Sequence, residues 1–299
     1  MKSASLALAF TVFVTGMAAA QAESRLDRIK SDQQITLGYR ESSIPFSYLD
    51  GDQQPVGYSM DICRGIVEAV KKELKLDNLN VREIPVTSST RIPLVANGTV
   101  DLTCGSATNN AQRQEQVSFA PTTFVTATRF AALKSSDVNG LEDLKGKTVV
   151  STAGTSNLRW LTQANAEQEL GLRIIPAKDH SEAFLTVNSG RAAAFFMDDI
   201  LLAGLVANSR NADDWMISSK AYTTEPYGII LPKNDDRFKQ VVDDAVIAMM
   251  KDGRLEQMYN QWFMQPIPPR DINLNWPMTD AFKKVVANPT DSPDPAAYQ

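Results

Sequence analysis

The sequence predicts an α/β protein built as two lobes, each a doubly wound and largely parallel sheet. Three observations carry this. Short apolar strands alternate with amphipathic helices in a β-α-β-α-β order, which winds a parallel sheet. A second such run begins near Leu141. The chain has 299 residues, enough to strain a single hydrophobic core and to favour two.

The elements follow in order. Ile35 to Gly38 reads as the first strand. Gly57 to Leu76 is a helix, since Ile62, Ile66, Val67, Val70 and Leu74 recur on one face. Val81 to Val86 is a strand and Thr90 to Asn97 a short helix, stopped by Gly98 in the place of a left-handed cap. Val100 to Cys104 completes the first unit. In the second, Lys147 to Ser151, Arg173 to Pro176 and Ala192 to Met197 are strands. Ser156 to Leu170, Ser181 to Ser189 and Asp199 to Asn208 are helices. Tyr227 to Leu231 is one further strand, followed by a helix from about Asp236 and another that carries Leu255, Met258, Tyr259 and Trp262. Pro266 to Pro269 end it, and the Pro-rich polar tail from Asn288 to Gln299 is expected to be loose. The lobe boundaries are expected near Val125 to Phe130 and near Thr223 to Tyr227.

The first residues suggest export. Met1-Lys2 is a short positive start, Leu6 to Val14 is apolar but for Thr11, and Ala20-Gln21-Ala22 offers a small-x-small cleavage pattern. Residues 1–22 are therefore expected to be a cleaved signal peptide and the mature chain to be periplasmic. A retained anchor is the alternative, although the apolar run is shorter than the ~20 residues of a spanning helix. Such a compartment permits disulfides, so Cys63 and Cys104 are expected to pair; two buried thiols remain the alternative. The formal charge of −5 and the lack of a basic run argue against a nucleic-acid partner. No His/Cys cluster has metal-ligand spacing, and no cofactor is expected.

Sites in open α/β sheets form at the carboxyl ends of strands. There stand Arg40, then Ser88 and Arg91, then Ser106, Thr108 and Arg113. In the second unit stand the Gly154-Thr155-Ser156 turn, His180 (the one histidine of the chain) and Asp198. Any of these alone reads as a surface charge or a helix cap. Together they suit a zwitterion with an extra carboxylate. Arginine binds carboxylate bidentately, a helix N-terminus offers free N–H groups, and an aspartate suits an ammonium.

These residues sit in longer motifs. They are Gly38-Tyr39-Arg40-Glu41-Ser42-Ser43-Ile44-Pro45-Phe46-Ser47-Tyr48, Gly57-Tyr58-Ser59-Met60-Asp61, Arg91-Ile92-Pro93-Leu94, Cys104-Gly105-Ser106 and Ala177-Lys178-Asp179-His180. On them the sequence resembles the family 3 extracellular solute-binding proteins of ABC transporters, and among these the periplasmic binders of glutamate and aspartate. The resemblance covers nearly all of the mature chain. It implies a two-lobe, Venus-flytrap periplasmic binding protein fold with a two-strand hinge: residues 23–127 plus 225–299 in one lobe, 128–224 in the other. It implies a monomer that closes on glutamate or aspartate and delivers it to membrane permease subunits. Arg113 would hold the α-carboxylate with Thr108 and the Thr155-Ser156 turn. Asp198, supported by Ser106, would hold the α-ammonium. Arg40, Ser88, Arg91 and His180 would hold the side-chain carboxylate. If so, His180 would charge against that carboxylate, and binding would strengthen as pH falls from about 8 to 6. Ala107 departs from the family pattern, where a threonine is expected, and should point away from the ligand.

An enzyme on the same fold, dehydratase-like, is the runner-up, and a sensor module without transport is a third reading. No Gly-x-Ser-x-Gly elbow is present, and the one base of suitable pKa is already assigned to binding, so catalysis is not expected.

Overall fold

The computed structural model describes residues 24–299; the signal-peptide expectation for residues 1–22 lies outside them. No helix among the described residues is long and apolar enough to cross a membrane.

The chain opens with α1 (Arg25–Asp32), whose Leu26 and Ile29 are buried, and enters β1 (Gln34–Tyr39). A small antiparallel sheet of β2 (Ser42–Ser43), β3 (Ser47–Leu49) and β4 (Pro55–Val56) precedes α2 (Tyr58–Leu74). Then come β5 (Asn80–Pro85), α3 (Arg91–Ala96), β6 (Leu102–Cys104), α4 (Ala111–Gln114) and β7 (Val117–Phe119). β8 (Phe124–Thr126) leads out of this unit into β9 (Thr128–Leu133). The second unit continues with β10 (Thr148–Thr152), α5 (Ser156–Glu167), β11 (Arg173–Ala177) and α6 (His180–Asn188). β12 (Phe195–Asp198), α7 (Asp199–Ala207) and β13 (Trp215–Ile217) complete it. β14 (Glu225–Tyr227) leads back to β15 (Ile230–Pro232), α8 (Asp236–Lys251), α9 (Arg254–Phe263) and α10 (Asp280–Ala287).

Two five-stranded sheets result, ordered β5-β1-β6-β15-β7 and β11-β10-β12-β9-β13. In each, three strands run parallel, β5-β1-β6 and β11-β10-β12. Antiparallel pairing extends one side of each, through β15 and then β7 in the first and through β9 and then β13 in the second. The ladder between β8 and β14 joins them, pairing Glu225 with Thr126 and Tyr227 with Phe124. The mixed α/β, two-lobe arrangement expected from the sequence is thus present, with two strands crossing between the sheets.

The C-terminal part returns to the first sheet because its apolar helix faces need cover. α8 buries Phe238, Val242, Val246 and Met249, and Met249 packs so closely on α2 that a Cβ at Gly65 would lie 2.6 Å from its sulfur. The disulfide between Cys63 and Cys104, with a Cα–Cα distance of 6.1 Å, ties α2 to β6 on the same face. The first expectation for the cysteines therefore holds over the buried-thiol alternative.

Two expectations need correction. The tail is not loose: Tyr298 is buried, its hydroxyl pairs with Thr122 Oγ1 at 2.8 Å, and Asn109 donates to the Asp291 carbonyl at 2.7 Å. Nor is Tyr227 to Leu231 one strand. The Gly228 amide turns aside to the Ala107 carbonyl, so β14 joins the crossing ladder and β15 the first sheet.

Candidate functional site

The residues singled out at strand ends converge where the two sheets face each other. From the first sheet, Arg40 follows β1. Its backbone N–H donates to Ser47 Oγ and its Nη1 to Ser88 Oγ, each at 2.8 Å. Gly105, past β6, leaves room for the Arg40 stem, since a Cβ there would lie 2.8 Å from Arg40 Cγ. Arg91 opens α3 and donates from Nη1 to the Ser106 carbonyl at 2.8 Å. Arg113, on α4, donates from Nη1 to the Thr108 carbonyl at 2.7 Å and from Nη2 across the cleft to the Gly154 carbonyl at 3.2 Å.

The second sheet supplies the opposite wall. Thr155 caps α5 by accepting from the Leu158 N–H, and Ser156 Oγ meets Thr108 Oγ1 at 3.1 Å across the cleft. Asp179 caps α6, so His180 opens that helix rather than capping it. Its Nδ1 pairs with Thr152 Oγ1 at 2.8 Å. Asp198 ends β12; Asn157 donates to its Oδ1 at 2.7 Å and the Tyr227 hydroxyl to its Oδ2. Gly154, at φ 78°, brings the two walls together, because a Cβ there would lie 2.6 Å from Ser89 Cα. Such interdigitation is the geometry of closed lobes.

All ten residues fall in this one region, and nine are buried, Thr155 being half-buried. Arg91 Nε, Ser106 Oγ and His180 Nε2 are buried polar atoms without a hydrogen-bond partner. Buried polar groups normally find partners, so three in one cleft mark a place built for a polar ligand. Ala107 is absent from the set: it packs with Val86, Val95 and Phe119 in the first lobe, as expected.

Electrostatics sharpen this. Arg40, Arg91 and Arg113 are buried, and none forms an ion pair among the described residues. Burial lowers all three pKa values, that of Arg40 to about 10, and Arg113 and Arg40 depress Arg91 further. They remain cations at neutral pH. Such groups are costly to bury without an anion. Burial followed by Arg40 and Arg91 also holds the His180 imidazole well below its usual range, so it is neutral at pH 7. The ligand-free cleft therefore holds His180 neutral, against the charge expected of it beside a bound carboxylate. The imidazole instead presents Nε2 as a neutral group. Burial and then Glu225 push the Asp198 carboxyl up to about 7.

Glu225, Tyr227, Asn157 and Thr152 belong to the site's polar framework and were not singled out from the sequence. They lie on the crossing strand β14, inside α5 and at the end of β10, where nothing but the fold marks them.

Residues 35–265 match the bacterial extracellular solute-binding proteins, family 3. The chain belongs to this family. Among curated relatives of this family 3 protein, the L-glutamate/L-aspartate-binding protein of Pseudomonas aeruginosa is 49% identical over 267 residues, 89% of this chain and 88% of the relative. The glutamate/aspartate import solute-binding protein of Escherichia coli is 46% identical over 274 residues, 92% and 91% of the two chains. Among solved structures, a mutant of ArgBP from T. maritima superposes with a TM-score of 0.71 at 24% identity, covering 79% of this chain and 98% of that one. The cysteine-binding protein of Campylobacter jejuni gives 0.70 at 23%, covering 80% and 93%. At such identity these two speak for the fold: the two-lobe architecture of periplasmic binding proteins.

Proposed function

We propose that this family 3 protein is the periplasmic substrate-binding component of an ABC transporter for acidic amino acids, glutamate or aspartate. It works as a monomer, closing residues 23–127 plus 225–299 against 128–224 and passing its ligand to membrane permease subunits. The observation that carries the reading is the set of three buried guanidiniums without a carboxylate partner. The names of its nearly full-length relatives point the same way.

In this reading Arg113 grips the α-carboxylate with Thr108 and the N-terminus of α5, where Thr155 and Ser156 begin the helix. Asp198 takes the α-ammonium beside Ser106. Arg40, Arg91, Ser88 and the neutral His180 receive the side-chain carboxylate. Contacts from both lobes favour the closed state, because a ligand that touches both is worth more when they meet. Glutamate and aspartate should bind with micromolar affinity or tighter, about −8 kcal/mol or better. Calorimetric titration with glutamate, aspartate, glutamine and lysine tests this. Measurable lysine binding would exclude the assignment, since its side-chain ammonium would face Arg40 and Arg91. Glutamate recovered chemically unchanged after incubation separates binding from a dehydratase-like activity.

A further inference from the structure

The buried charged side chains among the described residues, His180 aside, are Arg40, Arg91, Asp101, Arg113, Asp198, Asp199 and Glu225. Asp101 pairs with Arg25 and Arg28, and Asp199 with Arg129. What remains lines the cleft: three guanidiniums against two carboxylates, Asp198 and Glu225. Glu225 is unlike the rest because it stands on a crossing strand, β14, opposite Thr126 of β8. It accepts from Ser156 Oγ at 2.8 Å and from Thr223 Oγ1 at 2.7 Å, and it forms no ion pair. Its charge acts on both sides, raising the Asp198 pKa and opposing the loss of charge at Arg113. It therefore sits at the end of the cleft where the reading above places the ligand's α-carbon substituents.

The hydroxyls show which charge state the geometry suits. Ser156 gives its one proton to Glu225, so the 3.1 Å contact with Thr108 is a donation from Thr108 to Ser156. On the other side, Thr223 donates to Glu225, and Asn157 donates to Thr128 and Asp198. Donors face both carboxylates, Ser156 and Thr223 at Glu225 and Asn157 and Tyr227 at Asp198, so hydrogen bonds support the charged form of each.

We propose that Glu225 is a specificity-determining residue. As a second buried carboxylate it sets the cleft, once Asp198 is ionised, to one net positive charge, so that the site selects amino acids of net charge −1 over dicarboxylic acids that lack the amino group. The inference rests on the function proposed above and goes beyond it. Glutamate or aspartate, with two carboxylates and one ammonium, neutralises three guanidiniums and two carboxylates. A doubly charged dicarboxylate leaves a negative charge buried beside Asp198 and Glu225. Remove the Glu225 charge and the balance shifts toward such an acid.

The test compares L-glutamate with glutarate, its des-amino counterpart, by calorimetry on wild type, Glu225→Gln and Glu225→Asp. Glu225→Gln should narrow the preference for glutamate over glutarate by about tenfold or more, as expected for one charge at a buried contact. Detectable glutarate binding in the variant alone counts as narrowing. Glu225→Asp keeps the charge and should keep the wild-type preference. An unchanged ratio in Glu225→Gln, or equal losses for both ligands in both variants, overturns the proposal and leaves Glu225 a structural acceptor. Wild type that binds no glutamate overturns the function reading instead.

Wild type alone gives a second measurement should the glutamine variant not fold. The charged or titratable groups facing Glu225 are Arg113, Asp198 and Tyr227, with Asp199 and Arg159 further round. Between pH about 6.5 and 8, glutarate affinity should fall as Asp198, raised by burial and by Glu225, ionises against it, while glutamate affinity rises. Slopes of the same sign overturn the proposal.

Discussion

Burial and Glu225 push the Asp198 carboxyl up to about 7, so near neutrality the free protein holds a mixture of protonated and ionised forms. An acid raised in the fold contributes stability that is present at low pH and lost as pH rises through that value. The α-ammonium that the proposed binding mode sets on Asp198 reverses this by favouring the carboxylate, so ligand binding should release a proton below about pH 7. Glutamate affinity should therefore climb between pH about 5.5 and 7.5, by up to roughly tenfold per unit at the acid end. Asp198→Asn should flatten the profile as well as weaken binding, and calorimetry at several pH values checks both. A profile that rises toward acid would return the charge to His180, against its placement beside Arg40 and Arg91. In the proposed binding mode the arginines divide by end. Arg113→Ala should abolish binding of glutamate and glutamine alike, because both carry the α-carboxylate. Arg91→Ala should cost glutamate more than glutamine, with losses of roughly 2–5 kcal/mol for truncating one partner of a buried charged pair. Equal losses in the Arg91 variant would show that it does not face the side chain. The ten residues that meet in the cleft were legible because strand ends are where α/β sheets build sites. Glu225 was not: among thirty-five acidic residues it has no motif, and only its burial on a crossing strand sets it apart.

At the scale of elements, long periodic helices were the readable part. α2 and α8 show apolar residues at helical spacing because each buries one face, α2 on the first sheet and α8 on α2, and they meet where Gly65 admits Met249. The strands β2, β3 and β4 have two or three residues each, too few for alternation to register. The tail failed as a reading for another reason. Its composition is that of a loose end, and the aromatic anchor Tyr298 gains its value from burial in the core and from the Thr122 hydroxyl and Ser292 carbonyl it meets. Two predictions belong here. Cys63 and Cys104 are 41 residues apart, a closure worth about 4 kcal/mol by loop entropy alone. Unreduced denatured protein should show no free thiol, and a double Cys→Ala variant should lose roughly 2–4 kcal/mol in chemical unfolding while still binding ligand. Free thiols in the unreduced protein would contradict the bridge. Thr155→Ala should cost about 1 kcal/mol of stability by uncapping α5. It should also weaken glutamate and glutamine equally, because the proposed binding mode sets the helix N-terminus against the shared α-carboxylate. A larger loss for glutamate would move that helix to the side-chain end.

Across the whole molecule, closure can be tested at a contact that the ligand set does not include. Gly204 lies inside α7 of the second lobe, and a Cβ built there would stand 2.6 Å from the Ile44 carbonyl oxygen of the first. That oxygen is backbone and cannot swing away, so Gly204→Ala forces the lobes apart or shifts the 42–46 segment. Within its own helix the substitution is favourable, since alanine is a better helix former than glycine by roughly 1 kcal/mol. The variant should thus keep its secondary structure and its ligand-free stability while closing less readily. Overpacking of this kind costs about 1–3 kcal/mol, which is roughly five- to 150-fold in affinity when the whole penalty falls on the closed state. The loss should be equal for glutamate, aspartate and glutamine, because no ligand group touches Gly204. Small-angle scattering supplies the independent readout. In wild type the radius of gyration should shrink when glutamate is added, as a ligand held by Arg113 on one side and Asp198 on the other requires. In Gly204→Ala the shrinkage should need more ligand or stay incomplete at saturation. Wild-type scattering that ignores glutamate would confine binding to one lobe. A variant with unchanged affinity and full closure would mean that the Ile44–Gly204 contact relaxes without moving the lobes.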